Sequence, residues 1–193
     1  MKYQKTVTSQ QSIPGELMQK APPQITGNRE PGIDPLLHGM RKRYAGMFLG
    51  RHLGLSMCAG WLPVFERVCE DIDLALGEER DDFRWVQTKE KFGSARWYWT
   101  MDEKSENLFD ILANVSGAFS DGMPTLASQR RHSVAELVKA AEQKTRTMCM
   151  VCGLNGHRQE HRGWYVVCCE EHFQLLKHQP ERFIHQCSTR STT

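Results

Sequence analysis

What this sequence lacks sets the outer limits of what it can be. No apolar run approaches the roughly 18 to 20 residues needed to cross a bilayer, and the first residues, MKYQKTVTSQQSIPGE, hold no apolar stretch like the core of a signal peptide. The expectation is a cytoplasmic protein. Charge of one sign is also scarce: the formal net charge is +2, too small to announce nucleic-acid binding, although Arg41, Lys42, Arg43 and Arg130, Arg131, His132 form local basic clusters. The H-x-E and P-C-x-x-C signatures of a zinc deaminase are absent. No internal repeat of 20 to 50 residues is visible.

What is present points to one globular body with appendages. The length of 193 residues suits a domain of ordinary size, and 39% hydrophobic residues against 25% charged suits a folded, solvated body. Five of the eight prolines fall in residues 1–35, which show neither a helical nor an alternating apolar period. That segment reads as a flexible arm, because it cannot bury enough surface to offset the entropy of ordering. An α+β body is expected over 36–146 and a zinc-binding module over 147–193.

Within the body, Trp61, Val64, Phe65, Val68, Ile72 and Leu76 recur at spacings of three and four. They predict a helix that starts near Pro63 and stops at Gly77, with Glu78, Glu79, Asp81 and Asp82 as an acidic connector. Burying four such side chains at about 1.5 to 3 kcal/mol each makes this helix core. The following FRWVQTKEKFGSARWYWT alternates on either side of Gly93. Phe83, Trp85 and Gln87 share one face of a first strand, and Ala95, Trp97 and Trp99 share one face of a second. A hairpin turning around Glu90 to Gly93 is expected, with one face packed on the helix. Leu108, Ile111, Leu112 and Val115 predict another helix. Ser133 with Glu136 reads as a capping box opening a last one, which runs to about Thr145 and delivers the chain to Cys149. The fold class is α+β, helices on a small antiparallel sheet with a C-terminal zinc-ribbon-like module.

The chemistry concentrates in CMVCGLNGHRQEHRGWYVVCCEEH, residues 149–172. Seven cysteines, four of them between 149 and 169, read as metal ligands in a reducing compartment, where disulfides are rare. Cys149-x2-Cys152 followed by Gly153 has the form of a zinc knuckle, and Cys169-x2-His172 supplies the second pair sixteen residues later. The expected cofactor is one structural Zn per chain. Cys168-x3-His172 is an alternative pair. Neighbouring residues of a strand point to opposite faces, so Cys169 is taken as the ligand and Cys168 as a small residue behind the site. Trp164 is expected to cover the apolar side of the site.

Catalytic readings are weaker, and no catalytic residue is assigned. His157, Glu160 and His161 form H-x-x-E-H, but a peptidase needs that motif on a helix, and Gly156 and Gly163 bracket it within a short loop. A His-Asn-His-type nuclease needs a histidine base and a strand-helix platform, for which sixteen residues leave little room. Lys89 and Glu90 resemble a catalytic pair only superficially, since alternating charges at a hairpin tip are usually solvated.

Two stretches, GWLPVFERVCEDI with VQTKEKFGSARWYW and KTRTMCMVCGLNGHRQEHRGWYVVCCEEH, together resemble a family of small proteins of bacteriophages and prophages that has no established biochemical activity. The match covers about 44–99 and 141–172, and it departs from the family pattern where Ala95 and Trp97 replace leucine and phenylalanine. The resemblance implies a phage-derived protein acting in a bacterial host cell. The function expected first is therefore a non-catalytic interaction protein that binds, and inhibits or redirects, a host protein such as a defence component. Trp97, Tyr98 and Trp99 are its surface candidates, of which only one face of the strand can be exposed. The alternative is a nucleic-acid-binding zinc-ribbon protein using Lys89, Lys91, Arg96, Arg158 and Arg162.

Overall fold

The structure is a computed structural model that describes residues 35–50, 54–101 and 126–189. The proline-rich arm and the helix expected around Leu108 to Val115 lie outside the described residues. Five α-helices and two small sheets make up the rest: α1 (Pro35–Arg43), α2 (Leu62–Leu76), α3 (Leu126–Thr145), α4 (Glu170–His178) and α5 (Pro180–Cys187), with β1 (Gly54–Leu55), β2 (Phe83–Lys91), β3 (Ser94–Met101), β4 (His157–His161) and β5 (Trp164–Cys168). The fold is α+β. No helix among the described residues is long and apolar enough to cross a membrane.

Helix α2 forms where its apolar period predicts. Phe65, Val68, Cys69, Ile72 and Leu76 are buried along one stripe, while Arg67 on the opposite face pairs with Glu70 and Asp71 at 3.1 Å each. Pro63 sits in the first turn, where its missing N–H costs nothing. Gly77 ends the helix at φ +56°. Arg80 closes that end by donating to the Gly77 carbonyl at 2.6 Å and to Asp73 at 3.1 Å.

The β2–β3 hairpin packs its inner face on α2. Phe65 meets Trp85 and Trp97 with ring centroids 4.9 Å apart in each case, and Phe83 meets Trp85 at the same separation. The strict alternation expected of β2 fails at one point. A bulge between Trp85 and Gln87 leaves Val86 unpaired, so Gln87 is exposed and Thr88, opposite Trp97, is buried. On the strand's far half, Lys89 and Lys91 therefore share the outer face with Arg96 and Tyr98. The turn consists of Phe92 and Gly93, at φ +53° and +78°, as a two-residue hairpin with matching twist requires.

Sheet order is β1-β2-β3, with β1 parallel to β2, so β3 is an edge strand. Helix α3 covers that edge: the Ala95 N–H donates to Thr145 Oγ1 at 3.0 Å and the Trp97 N–H to Glu142 Oε1 at 2.6 Å. The start of α3 differs from expectation. Ser133 is no cap, because the helix is already formed at Leu126 and the Ser133 hydroxyl donates back to the Gln129 carbonyl at 3.0 Å.

Replacing Thr145 by Val removes the acceptor for an amide at a fully buried residue while keeping volume. It is expected to lower the unfolding free energy by about 1 to 3 kcal/mol in urea titration; unchanged stability would show that the edge needs no such acceptor.

Candidate metal centre

Three local structures bring the donors together. Residues 149–153 form the knuckle, in which the Gly153 N–H donates to the Cys149 carbonyl at 2.9 Å and the Cys149 N–H to the Leu154 carbonyl at 2.7 Å. The chain then makes the β4–β5 hairpin, whose two-residue turn is Arg162 and Gly163, both at positive φ. Cys169 follows as the residue before α4, and His172 stands in that helix's first turn. The second pair thus stands on a helix N-terminus, where a two-knuckle ribbon would have another turn, and the helix dipole there favours thiolate.

Cys149, Cys152, Cys169 and His172 offer ligand atoms that all lie within 4.8 Å of one another, the one such group of His, Cys, Asp and Glu among the described residues. The Cys152 and Cys169 sulfurs are 3.9 Å apart, close to the ~3.8 Å edge of a tetrahedron with zinc–sulfur bonds of about 2.3 Å. His172 turns Nδ1 toward Cys169 Sγ at 3.0 Å. This set can hold a metal ion, and its donors are compatible with one zinc.

The electrostatics single out Cys149. Hydrogen bonding from the Cys168 thiol, then from His172 and the backbone of Cys152 and Cys169, holds the Cys149 thiol well below its usual pKa against the opposing push of burial. Burial pushes Cys152 up to about 12 and raises Cys169 as well. His172 is raised, chiefly by its hydrogen bond to Cys149. A cation seated among these donors replaces their protons, so its binding releases protons and weakens as pH falls. Cys168 is fully buried at the end of β5, and its hydrogen bond to the Cys149 sulfur is the main cause of its own raised pKa. It belongs behind the site and outside the group of four.

The knuckle is docked on the body through backbone. The Gly60 N–H donates to the Met150 carbonyl at 2.9 Å and the Trp61 indole to the Met148 carbonyl at 3.3 Å. A Cβ on Gly60 would lie 2.2 Å from the Cys149 carbonyl oxygen, and one on Gly153 only 2.6 Å from that of Gly60. On the far side, Thr189 Oγ1 donates to the Met57 carbonyl at 2.9 Å and Ser188 bridges Cys58. One cluster of buried side chains accordingly runs from Leu37 through Trp61 and Met150 to Cys187, across the 146/147 division expected from sequence.

The other candidates fall out as follows. His157, Glu160 and His161 lie on strand β4 and not in a loop, and the two histidines are four residues, about 13 Å, apart along it, too far to share an ion. Trp164 packs edge-to-face on Phe183 at 5.9 Å, partly buried against the common core. Lys89 and Glu90 point to opposite faces, Glu90 accepting from the Gly93 N–H at 2.7 Å. Trp97 is buried at 4% exposure and is withdrawn from the surface set; Trp99 is half-buried, stacked on Phe83 at 5.8 Å. Tyr98 is exposed, with the Lys89 ammonium 4.8 Å from its ring. Arg158 lies 4.4 Å over Tyr165 on the second hairpin, and Arg162 sits at that hairpin's turn. Sequence reasoning missed Arg146 and Phe92, which line a cleft together with Arg96 and Arg158, and Tyr165, whose ring lies beside Arg158. Arg146 directly after the α3 terminus and the Phe-Gly turn dipeptide were the available signals.

The fold and site together define a protein with a knuckle, hairpin and helix set around four metal donors. Compared with family models, curated proteins and solved structures, the chain gives no match.

A Gly60→Ala substitution forces the knuckle off the body. It is expected to cost about 3 kcal/mol in urea unfolding and to weaken metal retention during dialysis; wild-type values for both would disprove the docking role of this backbone contact.

Proposed function

We propose that the chain is a non-catalytic binding protein of phage or prophage type, held together by one structural zinc. The observation that carries this reading is the donor set. Four donors this close would complete a tetrahedron around zinc and leave no coordination position at which water could be activated. Zinc in such a site supplies roughly 10 to 16 kcal/mol of apparent binding energy that only the folded knuckle and α4 collect.

The exposed surface supports the nucleic-acid class of partner over the host-protein class. The tryptophan anchors expected of a protein interface are reduced, since Trp97 is core and Trp99 half-covered. On the outward face of the β2–β3 hairpin the charged groups are cationic. Lys89 and Arg96 face each other directly across β2 and β3, an unfavourable like-charge pair, with Lys91 and Tyr98 on the same face. Such an arrangement gains stability when phosphates neutralise it. Binding a host protein through an acidic surface is the competing reading.

Elemental mass spectrometry of the purified chain is expected to give one zinc per chain for wild type and for Cys168→Ala, and a loss of zinc together with cooperative unfolding for Cys169→Ser and His172→Ala. Zinc retained by Cys169→Ser but lost from Cys168→Ala would exchange the two roles, and a metal-free, fully folded wild type would contradict the proposal.

A further inference from the structure

We infer that the cleft between the two hairpins and the end of α3 is a phosphodiester site for single-stranded nucleic acid, in which Arg96, Arg146 and Arg158 hold the phosphate and Phe92, Tyr98 and Tyr165 offer faces for bases. This rests on the reading of the basic face given above and assigns it to particular residues.

Three elements far apart in sequence meet there. The cleft, of about 280 Å³, is lined by Phe92, Gly93, Ser94 and Arg96 from the first hairpin, Arg146 just beyond α3, and Arg158 and Val167 from the second hairpin. The tip of the first hairpin touches the open end of the second through Gly93: a Cβ there would lie 3.2 Å from Val167 Cγ2, so backbone and a valine make the floor. No carboxylate lines it. Glu160 shares the outer face of the second hairpin with Arg158 and Tyr165 but stands outside the cleft. Among the described residues none of the three guanidinium groups pairs with a carboxylate, whereas Arg43, Arg67, Arg80 and Arg130 each pair with at least one.

Two of the three arginines are also held in place. Arg96 donates to Ser94 Oγ at 2.9 Å and to the Ala95 carbonyl at 2.7 Å, and the Arg158 guanidinium carbon stands 4.4 Å from the centre of the Tyr165 ring. A guanidinium fixed beforehand loses less freedom when it closes on a phosphate oxygen. The aromatic side chains fix the class of nucleic acid. Phe92 is 60% exposed although it occupies a left-handed turn position that disfavours bulky residues, and Tyr98 and Tyr165 are exposed beside cations. Stacking on such rings needs unpaired bases, which a duplex does not offer. The volume accommodates a phosphate with its sugar, below the size usual for drug-sized ligands.

The test is fluorescence anisotropy of the zinc-loaded full chain with fluorescein-labelled 20-mers of dT and of rU, at 50 and 200 mM KCl. Wild type is expected to bind at least one of them, and the one bound more tightly identifies the sugar. Arg146→Gln with Arg158→Gln is expected to weaken binding tenfold or more and to flatten the salt slope by about 1.4, two contacts at about 0.7 each. Phe92→Asn, which suits the turn, is expected to weaken binding about fivefold or more with the slope unchanged. Arg67→Gln, on the outer face of α2, is the control and should bind like wild type. Oligonucleotide binding that the double arginine variant leaves intact would overturn the cleft assignment and spare the nucleic-acid reading. A zinc-loaded, folded wild type that binds neither oligonucleotide would overturn both. Displacement of the oligonucleotide by polyglutamate at equal charge would make the ligand an acidic polypeptide and overturn the inference.

Discussion

The rest of the structure depends on a contact between two stretches of backbone. Gly60, in the short 3-10 turn that leads into α2, and Gly153 in the knuckle approach so closely that neither has room for a side chain, and the Gly60 N–H reaches the Met150 carbonyl across the gap. Packing at this distance joins the N-terminus of the body's central helix to the segment that carries two of the four donors. A bound cation would therefore tighten more than its own loop. It would fix the knuckle, and through the knuckle the β4–β5 hairpin and α4, against the aromatic core of the body.

The placement of the surface follows from that docking. The first hairpin is oriented by Phe65, Trp85 and Trp97 on its inner face, which leaves Lys89, Lys91, Arg96 and Tyr98 outward. The second is oriented by Val166 and Cys168, which enter the common core and leave Arg158 and Tyr165 outward. Gly93 against Val167 sets the tip of the first hairpin on the open end of the second, and α3, by covering the β3 edge with Thr145 and Glu142, delivers Arg146 to the same place. Cations on three elements thus converge without a carboxylate among them, an arrangement that stability alone does not favour.

Much of this was legible in local patterns. The α2 stripe, the Gly77 stop, the hairpin turn and the four donors are all encoded in spacings of a few residues, and strand alternation points to Cys169, the cysteine that stands in the group of four, before Cys168. Features that depend on partners distant in sequence were not legible. The bulge at Val86 inserts one residue without altering composition, so alternation misassigned Gln87 and Thr88. Ser133 with Glu136 has the same spelling inside a helix as at its start, and only the Gln129 carbonyl accepting from Ser133 distinguishes them. His157 to His161 lie in a strand because Val166 and Cys168 require a partner for β5, a demand that the H-x-x-E-H spelling does not express. The docking at Gly60 and the arrival of Arg146 are tertiary events with no short-range signature.

The central claim is a closed tetrahedral site with three sulfurs and one nitrogen, and X-ray absorption at the zinc edge of the purified protein tests it most directly. The account predicts three sulfur scatterers at about 2.3 Å and one nitrogen at about 2.0 to 2.1 Å, with no further light atom in the first shell. An oxygen in the first shell would mean an open site in which zinc could activate water, and two sulfurs in place of three would mean a different ligand set; either result would contradict the account.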